Sequence, residues 1–314
     1  MNNRKYDVAA IGLQCIDIVA ATVTPGVLER ECTLVDSARL MLGGDALNQA
    51  VTMASLGAKV ALMGVVGNDQ LGDVLLEQLA RYGTLDVLDA RCDVNTAISM
   101  VLVDAQTERH FVYQPESNNA LSYAHVNEDA VKNAAFLSVG GGLSLPGLDG
   151  EGLLKLMKLA RDAGARTALD IRIPDADYDR KVLSRTFALT DYLLPSEQEV
   201  RAITGEGENP AVMVEKLRHL GATNVVVKLG GKGCYVAADG FEGLVPACPC
   251  HCVDTTGAGD NFVGAFLYAK TRGWDIEKCA RFANAAGSIA VEHPGANGAI
   301  RSAEQVVARM NGLA

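Results

Sequence analysis

Short apolar runs alternate with longer segments of helical period through most of this chain, and this alternation restricts its fold more than any other feature. The runs predict strands at Val8–Gly12, Val60–Val66, Ala135–Val139, Thr167–Ile171, Tyr192–Leu194, Asn224–Leu229 and Gly233–Ala237. Helices are predicted at Ala46–Leu56, Gly72–Tyr82, Glu151–Ala163, Ser196–Thr204 and Ala211–Leu220, each followed by a glycine typical of a C-cap. Such alternation predicts an α/β fold, with a mostly parallel sheet flanked by helices and ligands at the carboxyl ends of its strands.

Two segments interrupt this alternation. Thr96–Val103 and Arg109–Tyr113 have the pattern of an antiparallel hairpin around a polar turn, and Asp17–Leu42 is rich in β-forming residues without a helix. We therefore expect a small β lid, formed by insertions at about residues 14–42 and 95–116, beside the α/β body. Because no repeat or low-complexity linker is visible, residues 1–314 are predicted to form a single domain.

The charge of the chain excludes several classes of partner. It has 28 Lys and Arg against 38 Asp and Glu, a net charge of −10, which argues against nucleic-acid and anionic-membrane surfaces. No apolar run reaches the roughly 18 residues of a membrane span and the N-terminus lacks a signal-peptide pattern, so we expect a cytoplasmic protein. Any phosphate ligand must be held locally, and the 32 glycines, which are clustered, offer backbone amides for this.

Eight cysteines are present, and most of them stand singly in apolar stretches, which predicts reduced, buried thiols. The exception is the run Cys248-Pro-Cys250-His251-Cys252. Its alternation reads as a strand with the odd positions on one face, whereas zinc ligands are usually paired two to four residues apart around a turn. A zinc site here is the alternative interpretation.

The most informative stretch joins a strand-like run to the apolar helical segment Val263–Lys270. It reads Val253-Asp254-Thr255-Thr256-Gly257-Ala258-Gly259-Asp260-Asn261-Phe262. Small residues at a helix start expose N–H groups that attract an anion, although a strand-to-helix turn with an ordinary cap would explain them too. The carboxylate of Asp260 would repel a phosphate there unless it acted on it, and a general base for phosphoryl transfer would do so. Phe262 in place of a third glycine argues against a dinucleotide-binding loop, and no P-loop motif occurs.

A second constellation lies near the N-terminus. Gly43 and Gly44 precede a helix whose first turn carries Asn48, an amide suited to hydrogen bonds with a sugar hydroxyl. Asp17, just beyond the first strand, is a second candidate for binding hydroxyl groups. The alternatives are an Asp45 N-cap with a buried amide after it, and an exposed lid position for Asp17.

The motifs Gly43-Gly44-x-x-x-Asn48 and Asp254-Thr-x-Gly-Ala-Gly-Asp260 resemble the two signatures of the ribokinase or PfkB family of carbohydrate kinases. The resemblance runs from Tyr6 to about Ile300. It implies a ribokinase-like fold, a β lid over the acceptor, and transfer of the γ-phosphoryl group of ATP to a sugar or nucleoside hydroxyl with magnesium. By position it implies that Asp260 is the catalytic base, that Gly257, Ala258 and Gly259 form the anion hole, and that Asp17, Gly43, Gly44 and Asn48 bind the acceptor.

The same resemblance implies further roles. Glu199 would hold magnesium through water, although Ser196 stands where the family usually has Asn and would serve equally well as a helix N-cap. Asp254 would bind a monovalent cation such as potassium, or else cap the loop that follows it. Nucleotide binding falls to Lys228, Gly230, Gly233 and Asn284. The lids of two chains could also clasp into a homodimer.

The sequence specifies the acceptor less closely than it specifies the reaction. Asp170-Ile-Arg172 departs from the Asp-Pro-Asn-x-Arg run of many fructokinase-like and ketodeoxygluconate kinase-like members. Arg109 on the lid hairpin is interpreted as an exposed charge at a β edge, and contact with an anionic or hydroxyl-rich acceptor is the alternative. Because no Lys or Arg lies near Gly43–Asn48 in the sequence, a neutral acceptor is favoured. An ATP-dependent kinase is the leading hypothesis, and a non-catalytic sugar- or nucleotide-sensing protein is the alternative.

Overall fold

This computed structural model describes residues 4–24, 26–104, 109–172, 179–205, 207 and 209–313. The strands in these ranges are β1 (Tyr6–Gly12), β2 (Cys15–Val23), β3 (Ser37–Gly43), β4 (Val60–Met63), β5 (Val65–Gly67), β6 (Leu85–Val87), β7 (Ala90–Cys92), β8 (Ile98–Asp104), β9 (Arg109–Gln114), β10 (Ala134–Gly142), β11 (Arg166–Ile171), β12 (Tyr192–Leu193), β13 (Val225–Lys228), β14 (Cys234–Ala238) and β15 (Phe241–Val245). The helices are α1 (Asp45–Ser55), α2 (Gln70–Leu79), α3 (Glu116–Ala120), α4 (Glu128–Lys132), α5 (Glu151–Asp162), α6 (Arg180–Ala188), α7 (Glu197–Thr204), α8 (Pro210–His219), α9 (Ala258–Thr271), α10 (Ile276–Ala290) and α11 (Ala303–Met310).

The main sheet confirms the predicted parallel architecture. Its described strands run in the order β15-β14-β13-β12-β11-β10-β1-β4-β6, with parallel pairing from β13 to β6 and antiparallel pairing of β13, β14 and β15. Successive residues of β1 point to opposite faces, so that Val8 packs in one apolar core and Ala9 in the other. Helices α1, α9 and α10 cover the first face, and α5, α6 and α8 cover the second.

A separate four-stranded sheet, ordered β3-β2-β8-β9, is built from the two segments in which the sequence predicts the lid. The turn expected between its last two strands includes residues 105–108, which lie outside the described residues. The register places Asp17 beside Met41 and Ser99 on one face, and Ile18 beside Leu40 and Met100 on the other. The lid therefore has an apolar row on one face, whereas the other face mixes polar residues such as Asp17 and Ser99 with apolar ones such as Met41.

Some predicted elements have different bounds in the structure. The run expected as one strand over 60–66 is divided at Gly64, where a Cβ atom would collide with the Gln14 side-chain amide. The strand interpretation of residues 248–252 is wrong, because that segment has no regular hydrogen-bonded structure and its Pro249 lacks an N–H. Helix α9 begins at Ala258, five residues before the predicted start, and this places Asp260 in its first turn.

The described residues include no helix that is both long and apolar enough to cross a membrane. All eight cysteines are free, which agrees with the expected reduced thiols, but Cys32, Cys250 and Cys252 are exposed rather than buried.

Candidate active site

The glycine-rich loop turns into α9 at Gly257, whose φ of 69° is in the left-handed region. A Cβ atom at this position would lie 2.5 Å from that of Ala296, so both the turn and the packing require glycine. Gly259 is different, because a Cβ atom there would meet nothing closer than the Lys228 Nζ at 3.6 Å. The first turn of α9 thus presents backbone N–H groups beside an ammonium group, with open space at Gly259, although the Ala258 N–H also donates to the Thr255 carbonyl at 3.3 Å.

We expect alanine substitutions at Gly257 and Gly259 to have different effects on stability and activity. Gly257→Ala should lower the free energy of unfolding by at least about 2 kcal/mol, since it combines left-handed strain with overpacking. Gly259→Ala should keep or slightly raise stability, because alanine favours the helix, yet lower kcat/KM at least about tenfold by filling ligand space. Thermal unfolding and steady-state kinetics on both variants measure this. Equal loss of stability in the two would contradict it.

Asp260 is held by Asn48, a residue from the other end of the chain. The Asn48 Nδ2 donates to Asp260 Oδ2 at 2.8 Å, and the Asn48 Oδ1 accepts from Asn297 Nδ2 at 2.8 Å. Burial, together with the nearby carboxylates of Asp45 and Asp170, raises the pKa of Asp260 well above its usual range, against the opposing effects of Asn48 and Lys228. A carboxylate with a raised pKa accepts a proton readily, which is what a general base needs.

Lys228 forms a buried ion pair with Asp170. Its Nζ lies 2.6 Å from Asp170 Oδ1, and the side chains are 14% and 5% exposed. The Gln49 Nε2 donates to the other carboxylate oxygen at 2.8 Å. Burial lowers the pKa of Lys228, but the carboxylates of Asp170 and Glu199 outweigh this effect and raise it, so the ammonium stays charged. The positions of Asp170, Gln49 and Asn297 beside the site were not predicted, because no local motif marks them.

Two cavities meet at this ammonium group. The first, of about 480 Å³, is lined by Asp260, Asp45, Asp170 and the start of α7, and the second, of about 510 Å³, by Asn284 and residues of α9 and α10. Lys228, Gly230 and Gly259 line both cavities. The junction therefore combines a cation with the start of α9, in an arrangement suited to a phosphate chain that crosses from one cavity to the other.

The predicted nucleotide residues have different surroundings. The Asn284 Nδ2 donates to the carbonyl oxygens of Val245 and Pro246 at 3.0 Å each, so its amide group is fixed at the wall of the second cavity. Gly233 is required by the fold, because a Cβ atom there would collide with the Val245 carbonyl, whereas Gly230 has open space around it.

Ser196 is the N-cap of α7, as the alternative interpretation held. The Glu199 N–H donates to Ser196 Oγ at 3.3 Å, and the Ser196 N–H donates to Glu199 Oε2 at 2.6 Å, a reciprocal capping box. Both residues line the first cavity. The capping box fixes the Glu199 carboxylate at the cavity wall.

The four predicted acceptor residues lie together behind Asp260, and none of them is among the described residues that line the two cavities. Asp17 is 8% exposed, so the exposed lid position considered for it is wrong, and burial raises its pKa to about 6. A Cβ atom on Gly43 would collide with the Asp17 carboxylate, and one on Gly44 would lie 2.5 Å from the Leu13 carbonyl oxygen.

The lid touches the glycine-rich loop through Arg109. Its guanidinium donates to the hydroxyl groups of Thr255 and Thr256 and lies 3.6 Å from Asp254 Oδ1. The interpretation of Arg109 as an exposed edge charge is therefore wrong, since the side chain is only 24% exposed. Asp254 in turn accepts from the N–H groups of Thr256 at 2.8 Å and Gly295 at 2.7 Å, so it caps the loop.

A basic side chain does approach the acceptor region in space. The Arg172 guanidinium lies 4.0 Å from Asp45 Oδ1 and 5.6 Å from the centre of the Tyr113 ring. The premise that no Lys or Arg lies near residues 43–48 is therefore wrong in the fold, and along the chain Arg39 is only four residues before Gly43. Arg172 also lines the first cavity, together with Asp45, Asp170 and Asp260.

The cysteine run does not form a metal centre in the described residues, where no group of three or more Cys, His, Asp or Glu side chains could hold a metal ion. Cys248, Cys250 and Cys252 instead line the second cavity.

Comparisons with known proteins agree with this geometry. The family model described as pfkB family carbohydrate kinase matches residues 5–303. Fructokinase-1 of Oryza sativa subsp. japonica is 32% identical over 271 residues, which cover 81% of this chain and 83% of that protein. The ribokinase structure from Thermotoga maritima superposes with a TM-score of 0.81 at 26% identity, covering 98% and 99% of the two chains. The Arabidopsis thaliana ribokinase, solved with ribose and ATP, has a TM-score of 0.81 at 24% identity, covering 97% and 98%.

Proposed function

This chain belongs to the pfkB family of carbohydrate kinases and is a sugar kinase, and on that premise we propose that it transfers the γ-phosphoryl group of ATP to a hydroxyl of a small neutral sugar or nucleoside. The observation that carries the proposal is the position of Asp260. It stands in the first turn of α9, beside the junction of two cavities and bonded to Asn48.

The two cavities suggest where ATP and the acceptor bind. The second cavity, between α9 and α10, would take the adenosine part of ATP, with Asn284 at its wall. The phosphates would lie at the junction, where Lys228 and the N–H groups of Gly257, Ala258 and Gly259 stabilise their charge. The acceptor would enter from the lid side, next to Asp260.

In the proposed reaction Asp260 takes the proton of the acceptor hydroxyl as its oxygen attacks the γ-phosphorus and the bond to ADP breaks. Asn48 orients the Asp260 carboxylate through its 2.8 Å hydrogen bond. We also propose that Asp17, Gly43 and Gly44 shape the acceptor site, because Asp17 is buried against Gly43, directly before the helix that carries Asn48.

The residues of the first cavity fit magnesium. Bound with ATP, magnesium would neutralise charge on the β and γ phosphates. Magnesium in such sites is held mainly by phosphates and water with one or two carboxylates. Glu199, fixed at the cavity wall by its capping box, is the carboxylate we propose to hold magnesium through water.

A potassium requirement at Asp254 remains a prediction. This carboxylate already accepts hydrogen bonds from Thr256 and Gly295 and lies near Arg109, and these contacts lower its pKa, although burial acts in the opposite direction. Turnover in potassium compared with tetramethylammonium salts tests whether a monovalent cation is needed.

A panel of acceptors with magnesium and ATP tests the proposed function. We expect ADP release with at least one neutral sugar or nucleoside and less with sugar phosphates or sugar acids, because the carboxylates of Asp45, Asp170 and Asp260 outnumber Arg172 and Lys228 in the lining of the first cavity and would repel a second anion. Preference for an anionic acceptor would overturn the neutral class. A protein that releases no ADP, but gains thermal stability with a sugar, would favour the sensing role instead.

We also propose a homodimer through the apolar face of the lid. The strand register aligns Leu40, Ile18, Met100 and Val112 in one row across the four strands. Leu40, Met100 and Val112 are 50%, 40% and 50% exposed in the single chain, an apolar patch that a second lid would cover.

Charges placed in this row should dissociate the dimer. We expect the double variant Met100→Glu/Val112→Glu to sediment as a monomer where the native protein sediments as a dimer, because two buried carboxylates per lid would remain unpaired. Arg39→Glu, on the other face of β3, is the control and should stay dimeric. A native protein that is monomeric at micromolar concentration would refute the dimer.

A further inference from the structure

A third cavity, of about 630 Å³, lies at the end of the main sheet opposite Asp260. Its walls come from the starts of β1, β10 and β11 and from the last residues of α9. Asp260 is in the first turn of α9 and Lys270 is near its end, so about 15 Å of helix separates the two regions. The proposed reaction uses no residue of this cavity.

The cavity is basic although the chain is acidic. Its lining includes Arg4, Arg166, Lys270 and Arg272. Arg272 lies 3.3 Å from Asp7 and Lys270 lies 2.7 Å from Asp239, and these are the ion pairs of this group within the described ranges. Four cations against two carboxylates leave a local charge of about +2 in a chain of −10.

Arg4 and Arg166 are held in place without being neutralised. The Arg4 guanidinium donates to the Ala163 carbonyl at 2.9 Å and to the Ala134 carbonyl. Arg166 donates to the Tyr192 hydroxyl at 2.8 Å and lies 5.9 Å from the centre of that ring. Neutral hydrogen-bond partners fix the two side chains. Asp239 acts on Arg166 as well as on Lys270, but one carboxylate does not offset both cations, so positive charge is left available to an anion.

A purely structural explanation covers three of the four cations. Lys270 and Arg272 follow from the end of α9, and Arg4 binds the carbonyl of Ala163, the C-cap of α5, so all three balance the partial negative charge of a helix C-terminus. Arg166, at the start of the interior strand β11, has no helix end to balance. The convergence of the four on one cavity is an arrangement that suits phosphate, whose oxygens accept several N–H groups at once.

We propose that this cavity binds a small phosphate-bearing anion, at a site separate from the catalytic one. Its volume falls in the range of small-ligand pockets, which leaves room for an organic group beyond the phosphate. Trp274, the only tryptophan of the sequence, lines the cavity and packs edge-on against Phe282, with ring centres 5.2 Å apart. Its fluorescence therefore reports on this cavity alone.

Titration of Trp274 fluorescence with orthophosphate, pyrophosphate and adenosine monophosphate tests the proposal. We expect a saturable change with at least one of them, and the comparison identifies whether an organic group contributes. The double variant Arg4→Ala/Arg166→Ala should weaken binding at least about tenfold. The matched control Arg185→Ala/Arg218→Ala, which removes two exposed arginines outside the cavity, should leave it unchanged.

Two further measurements test whether this site is separate from the catalytic one and whether the variants are folded. The Lys228→Met variant should bind these anions at Trp274 as the native protein does, since Lys228 is remote from the cavity. Circular dichroism and thermal unfolding of Arg4→Ala/Arg166→Ala and of Lys228→Met check that both variants are folded at the temperature of the titration. No saturable change with any of the three anions, equal weakening in the control, or loss of the signal in folded Lys228→Met would overturn the proposal.

Discussion

Asp260→Asn should lower kcat by about three orders of magnitude, the range typical of a lost general base, while the protein keeps its fold and its affinity for nucleotide. The amide has nearly the shape of the carboxylate, so packing in the first turn of α9 is preserved. It cannot take the acceptor proton, and its nitrogen, if turned toward Asn48, would oppose the Asn48 donor at 2.8 Å.

The pH dependence gives this prediction a second readout. Burial and the carboxylates of Asp45 and Asp170 raise the pKa of Asp260, so kcat/KM of the native enzyme should fall as the pH drops through that raised value. The residual rate of Asp260→Asn should lack this step. Steady-state ADP release between pH 5 and 9, about the range in which the fold is stable, measures both effects.

Asp73→Asn is the matched control, because Asp73 is also in the first turn of a helix, α2, but is 72% exposed and pairs with Arg91. It should change neither kcat nor the pH profile. Turnover retained by Asp260→Asn within about tenfold of the native rate would remove Asp260 from the role of base.

Lys228→Met should weaken the binding of ATP and also lower the stability of the fold. Loss of the ammonium removes the cation at the junction of the two cavities, and we expect KM for ATP to rise at least about tenfold and kcat to fall by a further factor of about 100. Methionine has a similar length, so the cavity walls should remain in place. Lys232→Met, at an exposed position of the neighbouring turn, is the control and should behave as the native enzyme.

The same substitution should destabilise the fold. Asp170 is 5% exposed and would lose its 2.6 Å partner, which typically costs about 3 kcal/mol for a buried pair. Without the ammonium the buried Asp170 would have a pKa further above that of the unfolded chain, so the variant should lose more stability at pH 8 than at pH 5. Urea unfolding at the two pH values measures this. A pH-independent loss would indicate that Asp170 is not left as an unpaired acid.

Many of the correct predictions came from local sequence patterns. The parallel sheet follows from apolar runs alternating with helical segments, and a helix after the glycine-rich loop follows from small residues before an apolar helical segment, although α9 begins five residues earlier than predicted. Ser196 as an N-cap is equally local, since its partner Glu199 is three residues away. Such signals succeed because the responsible interactions span only a turn of the chain.

Other predictions failed where distant segments meet. Arg109 has the sequence context of an exposed β edge, yet the lid is folded against the loop that holds Thr255 and Thr256. Arg172 is far from Asp45 along the chain, and the neutral-acceptor argument could not take it into account. Pro249 prevented a strand that simple alternation of side chains suggested.

Two properties could be read from the motifs alone: an acid next to a glycine-rich helix start, and the family to which these motifs belong. The surroundings of the acid follow only from the folded structure. Asn48 reaches Asp260 across 212 positions of the chain, and Lys228 reaches Asp170 across 58. These partners depend on which strands become neighbours in the sheet and on how α1 and α9 pack together, so burial and charge pairing emerge only when the chain is folded.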